Sequence, residues 1–148
     1  MGPRRNRILL TSEYVGPIKS CLIGAAVGFA LSIAWVAAVI SLKNPENFRS
    51  LSASDLIYAG VIGAIFAVIG LMVGLAASRS RIGMGKGVVI AASLWFAFVV
   101  FYALLGLLSF LPYLIPHFLI FLPCSILVGV IVPLLIREIS WRFAERLR

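Results

Sequence analysis

The side chains in this sequence that could perform acid–base or nucleophilic chemistry are few and widely separated. Five carboxylates occur in 148 residues, and they are Glu13, Glu46, Asp55, Glu138 and Glu145. General acid–base and nucleophilic catalysis both need groups that lie within reach of one another and of one substrate. The helices predicted below place these carboxylates on both sides of a membrane. We therefore expect no catalytic residues and a protein that is not an enzyme.

One histidine and two cysteines are the other candidates for binding a metal or a cofactor. His117 alone cannot supply the two axial ligands of a membrane haem, and it lacks the companions of a zinc site. We expect a structural role for it, the alternative being pH sensing or contact with a quinone or another ligand. Cys21 and Cys124 should differ in depth by roughly 10 Å, too far for a disulfide. Both are expected to pack as small apolar residues, so the sequence predicts no metal and no cofactor.

The segment 78–87 combines several glycines with a lysine, a composition also found in phosphate-binding loops. The P-loop pattern requires G-x-x-x-x-G-K followed by serine or threonine. Ser80 stands where the first glycine is needed, and Gly87 follows Lys86 where the hydroxyl is needed. We therefore expect a cytoplasmic turn rather than a nucleotide site.

Long uncharged runs determine the fold class. Residues 87–136, 20–42 and 56–78 contain no Asp, Glu, Lys or Arg, and about 20 apolar residues suffice to cross a bilayer. The chain is 62% hydrophobic, above the roughly 45–50% of soluble domains. The sequence predicts an all-α integral membrane protein with four transmembrane helices in a bundle, formed by residues 18–136. The four spans are expected at about 18–42, 56–77, 88–111 and 113–136, after a basic arm (1–17) and before a basic amphipathic tail (137–148).

The basic residues are concentrated on one side of this topology. Eleven of the thirteen lie in the N-terminal arm, in or beside the second loop, or in the C-terminal tail. The positive-inside rule then places both termini in the cytoplasm of a multi-pass cell-membrane protein. The net charge of +8 is explained by orientation and by contact with anionic headgroups. We expect membrane lipids as partners and no nucleic acid.

Small residues recur along the first two spans. Gly24 and Gly28 form a G-x-x-x-G pair, a spacing that lets another helix backbone approach closely. The second span carries a longer stripe of helix-packing glycines, and its opposite face carries bulky residues suited to lipid or to large neighbours. The stripe comprises Gly60, Gly63, Gly70 and Gly74, interleaved with Ala67. The partner of these faces could lie within the chain or in another protein.

The third and fourth spans have different compositions. The third is rich in aromatic residues, including Trp95, and contact with lipid is favoured over binding of a flat ligand. The fourth contains Pro116, Pro123 and Pro133, each of which is expected to kink a helix. Neighbouring helices can satisfy the carbonyl groups that such prolines free. The sequence leaves open whether this span is a full or a broken helix.

Three local patterns give further predictions. Ser52 and Asp55 have the spacing of a capping box, which predicts a helix start there. Glu138 and Arg142 have the i, i+4 spacing of a helical ion pair. The segment 19–31 aligns without gaps with 86–98, for which chance similarity of apolar segments is favoured and a duplicated pair of helices is the alternative.

Abundant packing motifs beside so little chemistry favour a non-catalytic integral membrane subunit that packs into a larger complex, with a structural, accessory or assembly role. Its partners would be other membrane subunits or further copies of the chain. One alternative is a small oligomeric channel or carrier for an uncharged or lipid-like solute. It would use the prolines of the fourth span and the serines Ser32, Ser93, Ser109 and Ser125. A second alternative is a lipid- or cofactor-binding scaffold around the third span.

Overall fold

The described part of the chain is entirely helical. The computed structural model describes residues 15–43, 52–79, 83–104 and 111–146. The helices are α1 (Pro17–Lys43), α2 (Ala53–Arg79), α3 (Met84–Leu104) and α4 (Leu111–Arg146). All four are long and apolar enough to cross a membrane. The chain is therefore a multi-pass membrane protein built as a helical bundle.

The first two helices begin where the local sequence favours a start. Pro17 opens α1, at a position where its missing N–H and fixed φ cost nothing. At the start of α2, the Ser52 backbone N–H donates to Asp55 Oδ2 at 3.0 Å, and the Asp55 N–H donates to Ser52 Oγ at 3.2 Å. These reciprocal bonds confirm the predicted capping box.

Helix α3 begins about one turn before the predicted position. The expectation of a loop through residue 87 is wrong, because Gly85, Lys86 and Gly87 are helical. The backbone N–H groups of Lys86 and Gly87 donate to the Gly83 carbonyl at 3.1 and 3.2 Å. The close contact of Gly87 with α4, described below, explains why glycine is accommodated in this first turn.

Helix α4 continues without interruption through its three internal prolines. Its 36 residues correspond to about 54 Å, well beyond the ~30 Å hydrocarbon thickness. The segment 137–146, expected as an amphipathic tail, therefore extends the same helix. The predicted ion pair is confirmed, since Arg142 Nε lies 2.9 Å from Glu138 Oε1.

The bundle consists of two helical hairpins. Helix α1 packs mainly on α2, and α3 packs mainly on α4. The hairpins meet through α4, which contacts α2 and α1 to similar extents, and through a smaller contact of α2 with α3. Helix α4 thus takes part in most of the contact between the halves.

An aromatic cluster occupies the junction of the hairpins. Phe66 is completely buried, and its ring centroid lies 5.2 Å from that of Trp95 and 6.1 Å from that of Phe121. The lipid-facing interpretation of the third span is therefore wrong for Trp95, which is only 3% exposed. For Phe96 and Phe101, which are both more than half exposed, contact with lipid stays a prediction. Aromatic pairs at these separations add to the free energy of packing.

The two hairpins bury equivalent positions. The segment alignment pairs Ser20, Gly24 and Gly28 of α1 with Gly87, Ala91 and Trp95 of α3, and all six are buried. When the two hairpins are matched by their closest contacts between helices, Phe66 is also paired with Phe121 and Gly74 with Gly129. These four residues are buried as well. Contact between Phe66 and Phe121 is the geometry expected beside a two-fold axis. This shared register is compatible with a duplication but does not test it.

We expect Phe66→Ala to destabilise the bundle strongly, because the substitution empties the centre of the aromatic cluster. Loss of a buried phenylalanine typically costs about 3–5 kcal/mol. The measurement is the free energy of unfolding in mixed micelles, followed by circular dichroism. Phe96→Ala, at a position that is 58% exposed, is the matched control. Equal losses for the two variants would contradict the assigned core.

Candidate helix-packing site

The backbones of α1 and α2 touch at paired glycines. A methyl group built on Gly24 would overlap the carbonyl oxygen of Gly70, and one on Gly70 would overlap that of Gly24. A methyl group on Gly28 would overlap the carbonyl oxygen of Phe66. Only a hydrogen atom fits in these places, which gives Cα–H···O contacts between the helices. Such contacts are a recurrent way of holding helices together in lipid.

The other predicted packing glycines differ in their surroundings. Gly74 lies against the backbone of Ser20, which extends the glycine contact towards the start of α1. Gly63 is buried under side chains, with Phe29 and Ile33 covering the position of its missing Cβ. Gly60 is exposed and has no atom within 4 Å of that position. Five of the six glycines thus lie in the contact between α1 and α2, and Gly60 does not.

A second glycine contact joins α3 to α4, and sequence reasoning missed it. A methyl group on Gly87 would overlap the carbonyl oxygen of Gly129 and would lie 2.9 Å from Pro133 Cγ. A proline removes the hydrogen bond to the carbonyl four residues earlier, which for Pro133 is the carbonyl of Gly129. The available signal was the spacing of Gly129 and Pro133, since Gly129 belongs to no G-x-x-x-G pair and the glycine four residues before Gly87, Gly83, precedes the helix.

Two tryptophan side chains donate hydrogen bonds to α4 carbonyl groups near its middle proline. Pro123 removes the donor to the Leu119 carbonyl, and the next carbonyl, that of Ile120, accepts a 2.9 Å hydrogen bond from Trp35 Nε1 of α1. The Phe118 carbonyl accepts another from Trp95 Nε1 at 3.3 Å. Indole donors from two neighbouring helices therefore supply hydrogen bonds where the helix's own ladder is weakened. Sequence reasoning had not singled out Trp35.

The proline side chains have two kinds of environment. Pro133 is buried against α3, whereas Pro116 and Pro123 are exposed on α4. The carbonyl freed by Pro133, that of Gly129, faces α3, and the Ile120 carbonyl, one residue after the one freed by Pro123, faces α1.

Two of the four serines considered for a solute path donate hydrogen bonds within their own helices. Ser32 donates to the Phe29 carbonyl and Ser125 to the Leu122 carbonyl, both at 2.8 Å. Ser93 is exposed, and Ser109 lies outside the described residues. Within the described ranges, no buried side-chain oxygen or nitrogen lacks a hydrogen-bond partner.

The candidates for chemistry are not brought together in the part that the structure describes. His117 lies in α4, but its side chain is outside the described residues. Cys21 and Cys124 are both free thiols, and Cys124 is fully buried. Asp55 caps α2, and Glu138 pairs with Arg142. In the four described segments, no three His, Cys, Asp or Glu residues lie close enough to hold a metal ion.

Comparisons with known proteins find no matching family model, no similar curated protein and no similar solved structure.

We expect Gly24→Leu to separate α1 from α2, because the new side chain would overlap the Gly70 backbone. Overpacking of this kind costs about 1–3 kcal/mol, seen as a lower midpoint of unfolding in detergent. Gly60→Leu makes the same chemical change at an exposed position and should leave the midpoint unchanged. A midpoint lowered equally by both substitutions would refute the backbone contact.

We expect Trp35→Phe to lower stability by about 0.6 kcal/mol through the lost hydrogen bond to Ile120, the average for such bonds between membrane helices, in addition to the packing that the smaller phenyl ring gives up. The measurement specific to the hydrogen bond is therefore amide exchange. Backbone amide exchange around 120–124 should increase in the variant. Trp141→Phe, which removes an exposed indole that donates to Glu145, is the control. Unchanged exchange in α4 would show that Trp35 does not support the Pro123 region.

Proposed function

We propose that the protein is a non-catalytic membrane subunit that packs into a larger complex in the cell membrane, with both termini in the cytoplasm. The observation that carries the proposal is the outer face of α1. Alanines recur there every fourth residue, and all of them are exposed: Ala26, Ala30, Ala34 and Ala38. Small residues at this spacing are typical of surfaces that another membrane helix approaches closely.

The glycine faces first considered for partners are already used within the chain. Gly24 and Gly28 of α1 lie against α2, so they are not available to another protein in the folded subunit. The alanine row lies on a different face of the same helix. Helix α1 would thus pack on α2 through glycine and on a partner through alanine.

The shape of the row suits a helix rather than lipid tails. Residues four apart lie along one ridge of a helix, and such rows cross a partner helix at about −40 to −50°. Leu22, which is 65% exposed, continues the row one turn towards the N-terminus, and Phe29, which is 46% exposed, lies beside it. In lipid, association depends on close packing, and an alanine row offers a smooth surface for it.

The exposed charges support the proposed orientation. Lys19 and Lys86 lie in the first turns of α1 and α3, while Arg79 and Arg137 lie near the far ends of α2 and α4. Because the helices alternate in direction, these four cations belong to one end of the bundle. Asp55 lies at the opposite end, at the start of α2. The positive-inside rule assigns the cationic end to the cytoplasm.

The alternative functions have less support. A carrier would need a polar path, yet Ser32 and Ser125 spend their hydroxyl donors on their own helices. Pro133, considered as part of a moving fourth span, is packed against Gly87. A scaffold for a flat ligand would need Trp95 free, and it is enclosed by Phe66 and Phe121.

We expect Ala30→Leu combined with Ala34→Leu to release the partner. Leucines would roughen the alanine row and prevent close approach of another backbone, while the exposed positions tolerate them within the subunit. The measurement is the set of proteins that copurify stoichiometrically with a tagged chain from its native membranes in mild detergent. The partner is either another subunit or a further copy of the chain. In both cases it should be lost in the variant.

The matched control is Ala97→Leu, since Ala97 is exposed on α3 outside the alanine row. It should keep the partner at the level of the unmodified chain. A lone monomer in both mild detergent and native membranes would refute the proposal.

A further inference from the structure

A groove lies between the start of α1 and the last turns of α4. Its volume is about 290 Å³, and its walls are formed by Val15, Lys19, Leu22, Ile23, Ile139 and Phe143. Five of these six side chains are hydrocarbon, and Lys19 is the single cation among them. The groove joins the two hairpins at the cationic end of the bundle.

The position of Lys19 gives this groove a wet end and an apolar end. Lys19 lies in the first turn of α1 and is exposed, whereas Leu22 and Ile23 follow one turn further into the span. The end of a membrane-crossing helix lies at the level of the lipid headgroups. An ammonium group at that level, with apolar walls directly below it, is complementary to a phosphate attached to an acyl chain.

We propose that this groove binds an anionic phospholipid, with the phosphate paired with Lys19, the ester region beside Ile139 and Phe143, and one acyl chain entering the bilayer along Leu22 and Ile23. Basic pockets between membrane helices on the cytoplasmic side are sites for anionic headgroups. Whole small molecules occupy pockets of about 300–1,000 Å³, so this smaller groove suits a segment of one chain. Because α1 and α4 belong to different hairpins, the bound lipid stabilises their contact. The proposal rests on membrane insertion and is independent of the accessory role.

The test uses the full chain, delipidated in mild detergent and then offered phosphatidylglycerol and phosphatidylcholine with identical acyl chains. Native mass spectrometry measures which lipid is retained. We expect the unmodified chain to retain phosphatidylglycerol about fivefold better, the ratio expected from one lysine at an anionic surface. Lys19→Gln should remove this preference.

Two further variants distinguish lipid binding at this groove from non-specific electrostatic attraction of lipid to the cationic surface. Lys86→Gln removes the lysine that aligns with Lys19 in the second hairpin and should keep the preference for phosphatidylglycerol. Ile139→Trp fills the groove and should reduce retention of both lipids, with helical content unchanged by circular dichroism.

Three results would overturn the proposal. One is equal retention of the two lipids by the unmodified chain. Another is equal loss of preference in Lys19→Gln and Lys86→Gln, which would indicate attraction by the whole cationic surface. The third is a severalfold gain in lipid retention on deletion of residues 2–13, which would show that the chain's own N-terminal arm occupies the groove.

Discussion

The contact between the backbones of α1 and α2 is the constraint on which the rest of the bundle depends. Lipid tails are as apolar as the helices, so burial of apolar surface gives little drive for association, and close packing must supply it. Gly24 and Gly70 provide that packing by letting each helix place a Cα hydrogen against a carbonyl oxygen of the other. With its glycine face held in this way, α2 must direct its bulky face towards the second hairpin. Phe66 thereby reaches Trp95 and Phe121 and becomes the centre of the core.

The same reliance on neighbours explains how α4 contains three prolines and is still helical. A carbonyl that loses its donor has no water to turn to within a membrane. Trp35 supplies an N–H beside Pro123, and Gly87 brings a Cα hydrogen to the carbonyl that Pro133 leaves without a donor. Helix α4 is therefore held by both α1 and α3. The Trp35 bond ties the second hairpin to the first, the Gly87 contact holds α3 and α4 together, and both argue for a packed unit rather than a moving fourth helix.

Features that depend on the local sequence were predictable. Features that depend on which face of each helix points into the bundle were not. Uncharged runs are sufficient to place four membrane helices, and the Ser52–Asp55 spacing is sufficient to start α2. The burial of Trp95 could not be read, because a helix that is apolar all round gives no amphipathic signal for its inward face. The Gly87–Gly129 contact was missed because Gly129 belongs to no G-x-x-x-G pair and its partner lies in a different helix. Gly60 continues the glycine stripe of α2 in sequence, yet it lies where α1 offers no neighbour.

This division of faces underlies the proposed role. Glycines form the closest contacts between helices within the chain. The alanine row of α1 is exposed on the outside. Among the described polar side chains, Asp55 caps α2, Ser125 donates to a carbonyl of its own helix, and Glu138 pairs with Arg142. Packing is thus the property that this bundle offers to the membrane around it.

The most direct test is photocrosslinking in intact cells, with a photoreactive amino acid placed at Ala34 of the full chain. The account predicts a discrete protein adduct, either another membrane subunit or a second copy, and no such adduct when the same group is placed at Ala97. Adducts to lipid alone at both positions would contradict the account, because they would show that the alanine row faces the bilayer rather than a partner.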